Sequence, residues 1–201
     1  KGLLLSSIFD PNPVIFLEHR WLHGASSKVP VKKYFTKIGS AKIIKKGTDI
    51  TIVSMSYMVV EALKTVKFLE TFNIKPEIID LRSIKPLDFS LIKKSLSKTK
   101  RLLVLDTGAK TNSISSEIIT LVSENKKINL KSKPVRICMP DFPEPTSYKL
   151  TKNFYNNHVD IIEKILEIFK IPKRKKYIYN LKLKNKKKID DTPGEWFRGP
   201  F

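Results

Sequence analysis

The feature that most constrains this chain is a repeated alternation between short apolar runs and longer segments with one apolar face. Five runs predict strands, at 41–46, 50–55, 77–81, 102–105 and 135–139. Helices are predicted from Ser56, from Asp88, from about Ser113 and at about 158–169. Because the main strands are apolar on both faces, the order predicts an α/β fold with an open, mainly parallel sheet and helices on both faces. The strand at 41–46 is expected at one edge, where it can lie antiparallel.

The residues ahead of this alternation predict the end of a helix, a turn, and a short strand over Val14–Leu17 with a continuous apolar sequence. Such a strand needs neighbours on both sides, and none is encoded nearby. We therefore expect residues 1–24 to be the end of a domain whose greater part lies upstream. The serine- and lysine-containing stretch 25–40 is a predicted linker, 41–170 is the α/β domain, and 171–201 is a basic C-terminal tail.

The formal net charge of +20 raises the question of a nucleic-acid partner. The lysines, however, are spread along the whole chain, and the one dense cluster spans residues 173–188. A solvated compositional bias is the favoured interpretation, and nucleic acid is not expected as a partner. The alternative is a non-enzymatic interaction module that binds acidic protein or nucleic acid through the tail. No apolar run approaches the roughly 20 residues of a membrane-spanning helix, so no membrane association is expected.

The single cysteine, Cys138, excludes a disulfide within the chain and predicts a reducing compartment, the cytoplasm. Because it lies inside an apolar run, a buried strand residue is favoured over a catalytic thiol. His19 and His23 are four residues apart but follow a predicted strand rather than lie on a helix, which disfavours a zinc site. His158 stands alone at a predicted helix start. On the first helix of the α/β domain, Glu61 is expected to face water.

In doubly wound sheets, ligands bind beyond the carboxyl ends of the strands. The turn after the strand at 50–55 contains no glycine, which excludes a dinucleotide fingerprint and a P-loop. Ser54 and Ser56 replace the acidic pair that a phospho-acceptor receiver needs for Mg²⁺, so that class is excluded too. Arg82 is expected to fix the end of a strand together with Asp80, through a salt bridge or backbone contacts. A ligand role for Arg82 is the alternative.

Collinear strings in the chain resemble the transketolase superfamily of thiamine-diphosphate enzymes, above all the β subunit of 2-oxoacid dehydrogenase E1 components. The strings GLLLSSI and NPVIFLEH, at 2–8 and 12–19, are similar to the end of the family's pyrimidine-binding domain. The family's C-terminal domain is matched in order and spacing by residues 38–42, 47–53, 60–63, 79–88, 98–106 and 139–141. The most specific of these strings is IDLRSIKPLD, at 79–88.

The resemblance implies a transketolase C-terminal domain-like fold in an enzyme that binds thiamine diphosphate and Mg²⁺ between domains, at a subunit interface. The activating glutamate would lie upstream, so this chain alone is expected to be inactive and to hold no cofactor. Partners implied are a same-type or E1 α-type subunit and, in dehydrogenase complexes, an E2 component. A transketolase acting on sugar phosphates is the alternative. The loop 106–113 departs from the family's acidic and paired-glycine pattern, which leaves its partner contacts open.

Three residues are candidates for roles in the assembled enzyme. His19 follows the carboxyl end of the predicted strand at 14–17 and would lie near the active-site mouth, where imidazole suits proton transfer; anchoring the linker is the alternative. Ser113 lies at a predicted helix start, where an anion can bind. Arg82 is a candidate interface or anion contact.

Overall fold

The computed structural model describes residues 1–151 and 154–172, with the backbone alone at Tyr148. The helices are α1 (Gly2–Ile8), α2 (Tyr57–Glu70), α3 (Phe89–Thr99), α4 (Ile114–Glu124), α5 (Tyr148–Thr151) and α6 (His158–Ile168), with a 3-10 turn at Arg20–Leu22. The strands are β1 (Lys42–Lys45), β2 (Ile50–Ser54), β3 (Pro76–Asp80), β4 (Leu102–Ala109) and β5 (Val135–Met139). The predicted basic tail lies outside the described residues from position 173 onward, so the interaction-module alternative stays a prediction.

The five strands form one sheet in the order β1-β3-β2-β4-β5. The four strands from β3 to β5 in this order are parallel to one another. Strand β1 lies at the edge and pairs with β3 in the antiparallel direction. The predicted α/β architecture with an antiparallel edge is therefore confirmed. Parallel strands that follow one another in sequence are joined through a helix: α2 lies between β2 and β3, α3 between β3 and β4, and α4 between β4 and β5.

Two buried clusters lie on opposite faces of the sheet. Alternate residues of β2 show the division, because Ile50 and Ile52 belong to one cluster and Val53 belongs to the other. The first cluster is closed by α2 and α6, and the second by α3 and α4. Helices thus cover both faces, which explains why the central strands read as continuous apolar runs.

The strand predicted within the first forty residues is absent. Val14–Leu17 forms no strand: Ile15 and Leu17 are 87% and 80% exposed, and none of the residues that the structure describes pairs with this segment. A strand depends on a hydrogen-bonding neighbour, so the apolar sequence alone does not produce one. The short helix α1 packs against the linker, where the Ser6 hydroxyl donates to the carbonyl oxygen of Thr36 at 2.7 Å. The Thr36 N–H donates to the carbonyl oxygen of Gly2 at 3.2 Å.

Three helix starts agree with the predicted caps, with one chemical difference. Asp88 and Ser113 accept hydrogen bonds from backbone N–H groups of the first turns of α3 and α4. Ser56 precedes α2 as predicted, but its side chain makes no capping bond. None of the helices in the described part of the chain has both the length and the apolar character needed to cross a bilayer.

Candidate functional site at the carboxyl edge of the sheet

The carboxyl ends of β2 and β4 meet at the point where the strand order reverses. From β2 the chain runs through α2 to β3 on one side, and from β4 it runs through α4 to β5 on the other. Ligands of doubly wound sheets usually bind in the crevice at such a point. Polar side chains at this edge are therefore the first candidates for a functional site.

Two serines lie at the end of β2. Ser54 is fully buried, and within residues 1–151 and 154–172 its hydroxyl has no hydrogen-bond partner. Ser56 has φ 53° and ψ −137°, a backbone conformation that a residue with a Cβ rarely adopts. The strain allows the chain to turn from β2 directly into α2, and Tyr57 then points into the core, where it is buried.

Asp80 and Arg82 lie at the end of the neighbouring strand, β3. The Arg82 Nε is 3.6 Å from Asp80 Oδ2, which is the strand-end salt bridge expected from the sequence. Burial raises the pKa of the Asp80 carboxyl above its usual value, and the nearby Arg82 opposes this shift only in part. Arg82 has φ 59°, so the backbone turns back immediately after the strand. A ligand role for Arg82 remains a prediction.

Asp106 and Ser113 organise the loop between β4 and α4. The Asp106 carboxylate accepts hydrogen bonds from the N–H groups of Gly108 and Ser115, both at 2.9 Å. It therefore already places a negative charge at the start of α4. Ser113 caps α4 by accepting from the Ser116 N–H at 3.3 Å, and Arg136 Nη1 lies 3.3 Å from its hydroxyl. The predicted anion contact of Ser113 is untested, and its hydroxyl is engaged within the chain.

A further carboxylate ties the loops after β4 and β5 together. Asp141 accepts hydrogen bonds from the N–H of Thr111 at 2.7 Å and from its hydroxyl at 3.0 Å. The bond from the Thr111 N–H is the largest cause that lowers the pKa of this exposed carboxyl. The two loops are thus linked, although the sequence between Asp106 and Ser113 departs from the family pattern.

His19 lies beside this edge, against the first residue of α2. Its ring centroid is 4.5 Å from that of Tyr57 and 5.6 Å from that of Trp21. Its Nδ1 accepts a hydrogen bond from the Trp21 N–H at 3.3 Å. Burial, and to a lesser degree the nearby His23, lowers the pKa of His19. The ring is therefore neutral near pH 7 and carries its proton on Nε2.

The sequence interpretation missed a buried cluster that joins α2 to α6. Glu61 was expected to face water, but it is buried, and its Oε2 accepts from the N–H of His158 at 2.8 Å and lies 3.0 Å from His158 Nδ1. Lys64 donates to the other carboxylate oxygen. His158, which looked isolated in the sequence, is thus paired. No local pattern signals this contact, because the partners are 97 residues apart.

The residues at this edge do not fit a Mg²⁺–diphosphate group. The described residues contain no group of three or more His, Cys, Asp or Glu side chains that could hold a metal ion. The carboxylates of Asp106 and Asp141 each accept hydrogen bonds from backbone N–H groups, as described above. The strand-to-helix turn at Ser56 also lacks the glycines that bring backbone N–H groups close to a diphosphate.

Comparison with known proteins gives consistent matches. A family model described as "Transketolase, C-terminal domain" matches residues 39–161. The pyruvate dehydrogenase E1 component subunit beta of Acholeplasma laidlawii is 41% identical over 146 residues, covering 72% of this chain and 45% of the relative. The Mesostigma viride protein of the same name is 37% identical over 168 residues, covering 84% of this chain and 51% of the relative.

Among solved structures, one described as "Split gene transketolase, inactive beta4 tetramer" matches with a TM-score of 0.59 and 24% identity. The match covers 68% of this chain and 44% of that one, and it supports the fold alone. The chain spans about half the length of the curated relatives that it matches.

Proposed function

Because the chain belongs to the transketolase C-terminal domain family, we propose that it is the C-terminal portion of the β subunit of a thiamine-diphosphate-dependent 2-oxoacid dehydrogenase E1 component. The observation that carries this proposal is the identity of 37–41% with pyruvate dehydrogenase E1 β subunits over most of the chain. Pyruvate is accordingly the proposed substrate of the whole enzyme. A transketolase-type subunit is the less favoured alternative, because the solved transketolase structure above matches at lower identity.

The proposed role of this portion is assembly and support rather than chemistry. The carboxylates of Asp106 and Asp141 at the carboxyl edge of the sheet are engaged with their own loops, and the donor set does not suit Mg²⁺–diphosphate. When bound in the assembled enzyme, thiamine diphosphate would supply the carbanion chemistry that a 2-oxo acid requires. The cofactor and its Mg²⁺ would be held by other parts of the enzyme, and the isolated chain would be inactive.

Residues 1–24 are proposed to be the end of the pyrimidine-binding domain, joined by the linker 25–40 to the α/β domain at 41–170. Exposed apolar side chains support this division. Among residues 1–151 and 154–172, most of the large hydrophobic residues with high exposure precede residue 36, and they include Ile15, Leu17 and Val31. An exposed apolar surface of this kind commonly marks a site that another part of a protein covers.

The partners proposed for the assembled enzyme are an E1 α-type subunit and a second β-type subunit, with an E2 component in a complete dehydrogenase complex. The cytoplasm is the proposed compartment, since a chain with one cysteine needs no oxidising environment. These proposals rest on the relationship to E1 β subunits and on the composition.

His19 is proposed to act near the mouth of the active site. Its contact with Tyr57 brings it beside the carboxyl edge of the sheet, and its neutral ring would present the Nε2–H as a hydrogen-bond donor. In the assembled enzyme, His19→Gln should lower kcat/KM for pyruvate about tenfold or more. His23→Gln is the matched control, because His23 is exposed and pairs with Glu18 at 3.6 Å. Equal activity of the two variants would reject the role of His19.

The proposed function is tested by titration and reconstitution. Calorimetric titration of the 201-residue chain with thiamine diphosphate and Mg²⁺ should give no binding heat. The full-length β-type subunit, purified together with an α-type subunit, should oxidatively decarboxylate pyruvate in the presence of an electron acceptor and require the cofactor to do so. Tight cofactor binding by the isolated chain, or an assembled protein that turns over sugar phosphates and not pyruvate, would contradict the proposal.

A further inference from the structure

Two backbone N–H groups, one at the end of the linker and one at the first residue after it, donate hydrogen bonds to the loop between β3 and α3. Gly39 donates to the hydroxyl of Ser83 at 2.9 Å, and Ala41 donates to Asp88 Oδ2 at 3.0 Å. The partners are 44 and 47 residues apart in sequence, so neither bond is a consequence of local chain geometry. Both acceptors lie in the string at 79–88 that is the most specific element of the family resemblance.

The same loop packs closely against the linker at Gly39. This residue has φ 79°, a conformation that favours glycine, and a Cβ added here would lie 2.7 Å from Pro86 Cγ. Shape as well as hydrogen bonding therefore fixes where the linker meets the loop. We call Ser83, Pro86 and Asp88 the linker clamp.

Asp88 anchors the linker clamp to the rest of the domain. Its Oδ1 accepts hydrogen bonds from the Leu91 N–H at 3.1 Å and from the Ser90 hydroxyl at 2.8 Å, so one carboxylate both begins α3 and holds the linker. Burial tends to raise the pKa of Asp88, but these hydrogen bonds and the one from Ala41 outweigh it and lower the pKa. The carboxylate is therefore charged, and a strong acceptor, near neutral pH.

The linker in turn holds the first helix. Thr36 lies three residues before Gly39 and exchanges hydrogen bonds with Ser6 of α1, at 2.7 Å and 3.1 Å. A change in direction at residues 39–41 would therefore carry α1 with it. The contact of His19 with Tyr57 is a second attachment of the N-terminal residues, at another point of the domain.

We propose that the linker clamp fixes the direction in which residues 1–38 leave the α/β domain, and that Ser83 and Asp88 are thereby positioning residues of the assembled enzyme. The second part of the proposal rests on the proposed function, because it concerns a cofactor bound between domains. Because such a cofactor contacts groups of both domains, a change in the direction of residues 1–38 would weaken cofactor binding more than it slows the chemical step.

The first test uses the 201-residue chain and hydrogen exchange at single amides. Ser83→Ala should lower the protection of the Gly39 amide by roughly fivefold, since a neutral hydrogen bond contributes about 1 kcal/mol. Ser97→Ala is the matched control: it removes an exposed hydroxyl of α3 that donates to the carbonyl oxygen of Lys94, one turn back on the same helix. Unchanged protection of the Gly39 amide in Ser83→Ala would overturn the proposal that the linker clamp holds this residue.

The second test uses the full-length β-type subunit assembled with its α-type partner. Ser83→Ala should raise the KM for thiamine diphosphate about fivefold or more with little change in kcat, and Ser83→Thr, which restores an acceptor, should recover most of the loss. A purely structural role would reduce the amount of active enzyme without changing KM. An unchanged KM despite lost Gly39 protection would overturn the positioning role. If the wild-type assembly shows no cofactor-dependent activity, the proposed function and the positioning role are both rejected. Hydrogen exchange at the Gly39 amide would still show whether the linker clamp holds residues 39–41.

Discussion

His158 contacts the buried carboxylate of Glu61 twice, through its backbone N–H at 2.8 Å and through Nδ1 at 3.0 Å. The pair joins the first residue of α6 to the inner side of α2, and Lys64 contacts the other carboxylate oxygen. We expect its removal to lower stability substantially, because the buried carboxylate accepts several hydrogen bonds that join the two helices.

Glu61→Ala should lower the free energy of unfolding by about 3 kcal/mol, since it removes the buried carboxylate that accepts hydrogen bonds from His158 and Lys64. Urea denaturation followed by circular dichroism measures this change. Glu70→Ala is the control on the same helix: Glu70 forms an exposed ion pair with Lys45, and its loss should cost no more than about 0.5 kcal/mol. Equal losses in the two variants would show that the buried pair contributes no more to the free energy of unfolding than the exposed ion pair does.

The contribution of Glu61 should depend on pH. Burial tends to raise its pKa, but hydrogen bonds from His158 and Lys64 outweigh burial and hold the pKa below the ordinary value. A carboxyl group with a lower pKa in the folded state stabilises the fold above its unfolded pKa and loses that effect as the pH falls through the folded value. The difference in unfolding free energy between the wild type and Glu61→Ala should therefore shrink as the pH falls below about 4.5. A difference that stays constant down to about pH 3 would contradict this explanation.

Ser56→Gly should stabilise the protein by about 1 kcal/mol, because glycine adopts the observed backbone conformation without strain. The greater entropy of glycine in the unfolded chain offsets part of the strain that is relieved. Ser56→Ala tests whether the backbone is the cause: it removes the hydroxyl but keeps the Cβ, so its effect should stay within about 0.5 kcal/mol. Thermal unfolding of the three proteins gives the comparison. A similar gain from both substitutions would assign the effect to the hydroxyl instead.

Gly47→Ala should cost about 3 kcal/mol or more, because the new Cβ would overlap the backbone of Pro76 and the carbonyl oxygen of Lys75. Those atoms belong to the backbone and cannot move away as a flexible side chain would. Gly108→Ala is the control, since the nearest atom to a Cβ there is Asp106 Oδ1 at 3.4 Å, an ordinary contact. Chemical denaturation of both variants measures the difference, and a loss at Gly47 no larger than that at Gly108 would refute the close approach.

The sheet could be predicted because its main strands are buried on both faces, which leaves a continuous apolar sequence at 102–105 and a mainly apolar one at 50–54. Val14–Leu17 has the same kind of sequence yet is not a strand, since pairing depends on neighbours that a local pattern does not reveal. Glu61 was misjudged for a related reason. Its spacing from Lys64 suggested a polar face, and only the distant α6 covers that face.

The candidate site was predictable in position but not in detail. The topology places the ends of β2, β3 and β4 at one edge, and the serines and aspartates there follow directly from the sequence. The backbone strain of Ser56 and the two roles of Asp88 depend on φ, ψ and long-range contacts, which residue types alone do not specify. His19 was named for its place after the predicted strand at 14–17, and the contact with Tyr57 that brings it to the edge is long-range as well.

The position of α6 has a consequence for biosynthesis. A nascent chain leaves the ribosome from its N-terminus, so β2 and α2 emerge nearly a hundred residues before the helix that covers them. Until α6 follows, the side of the sheet that carries Ile50 and Ile52 is covered by α2 alone, whereas the opposite side can already close with α3 and α4. Translation therefore passes through a state in which one face of the sheet is covered and the other still exposes part of its apolar surface to chaperones.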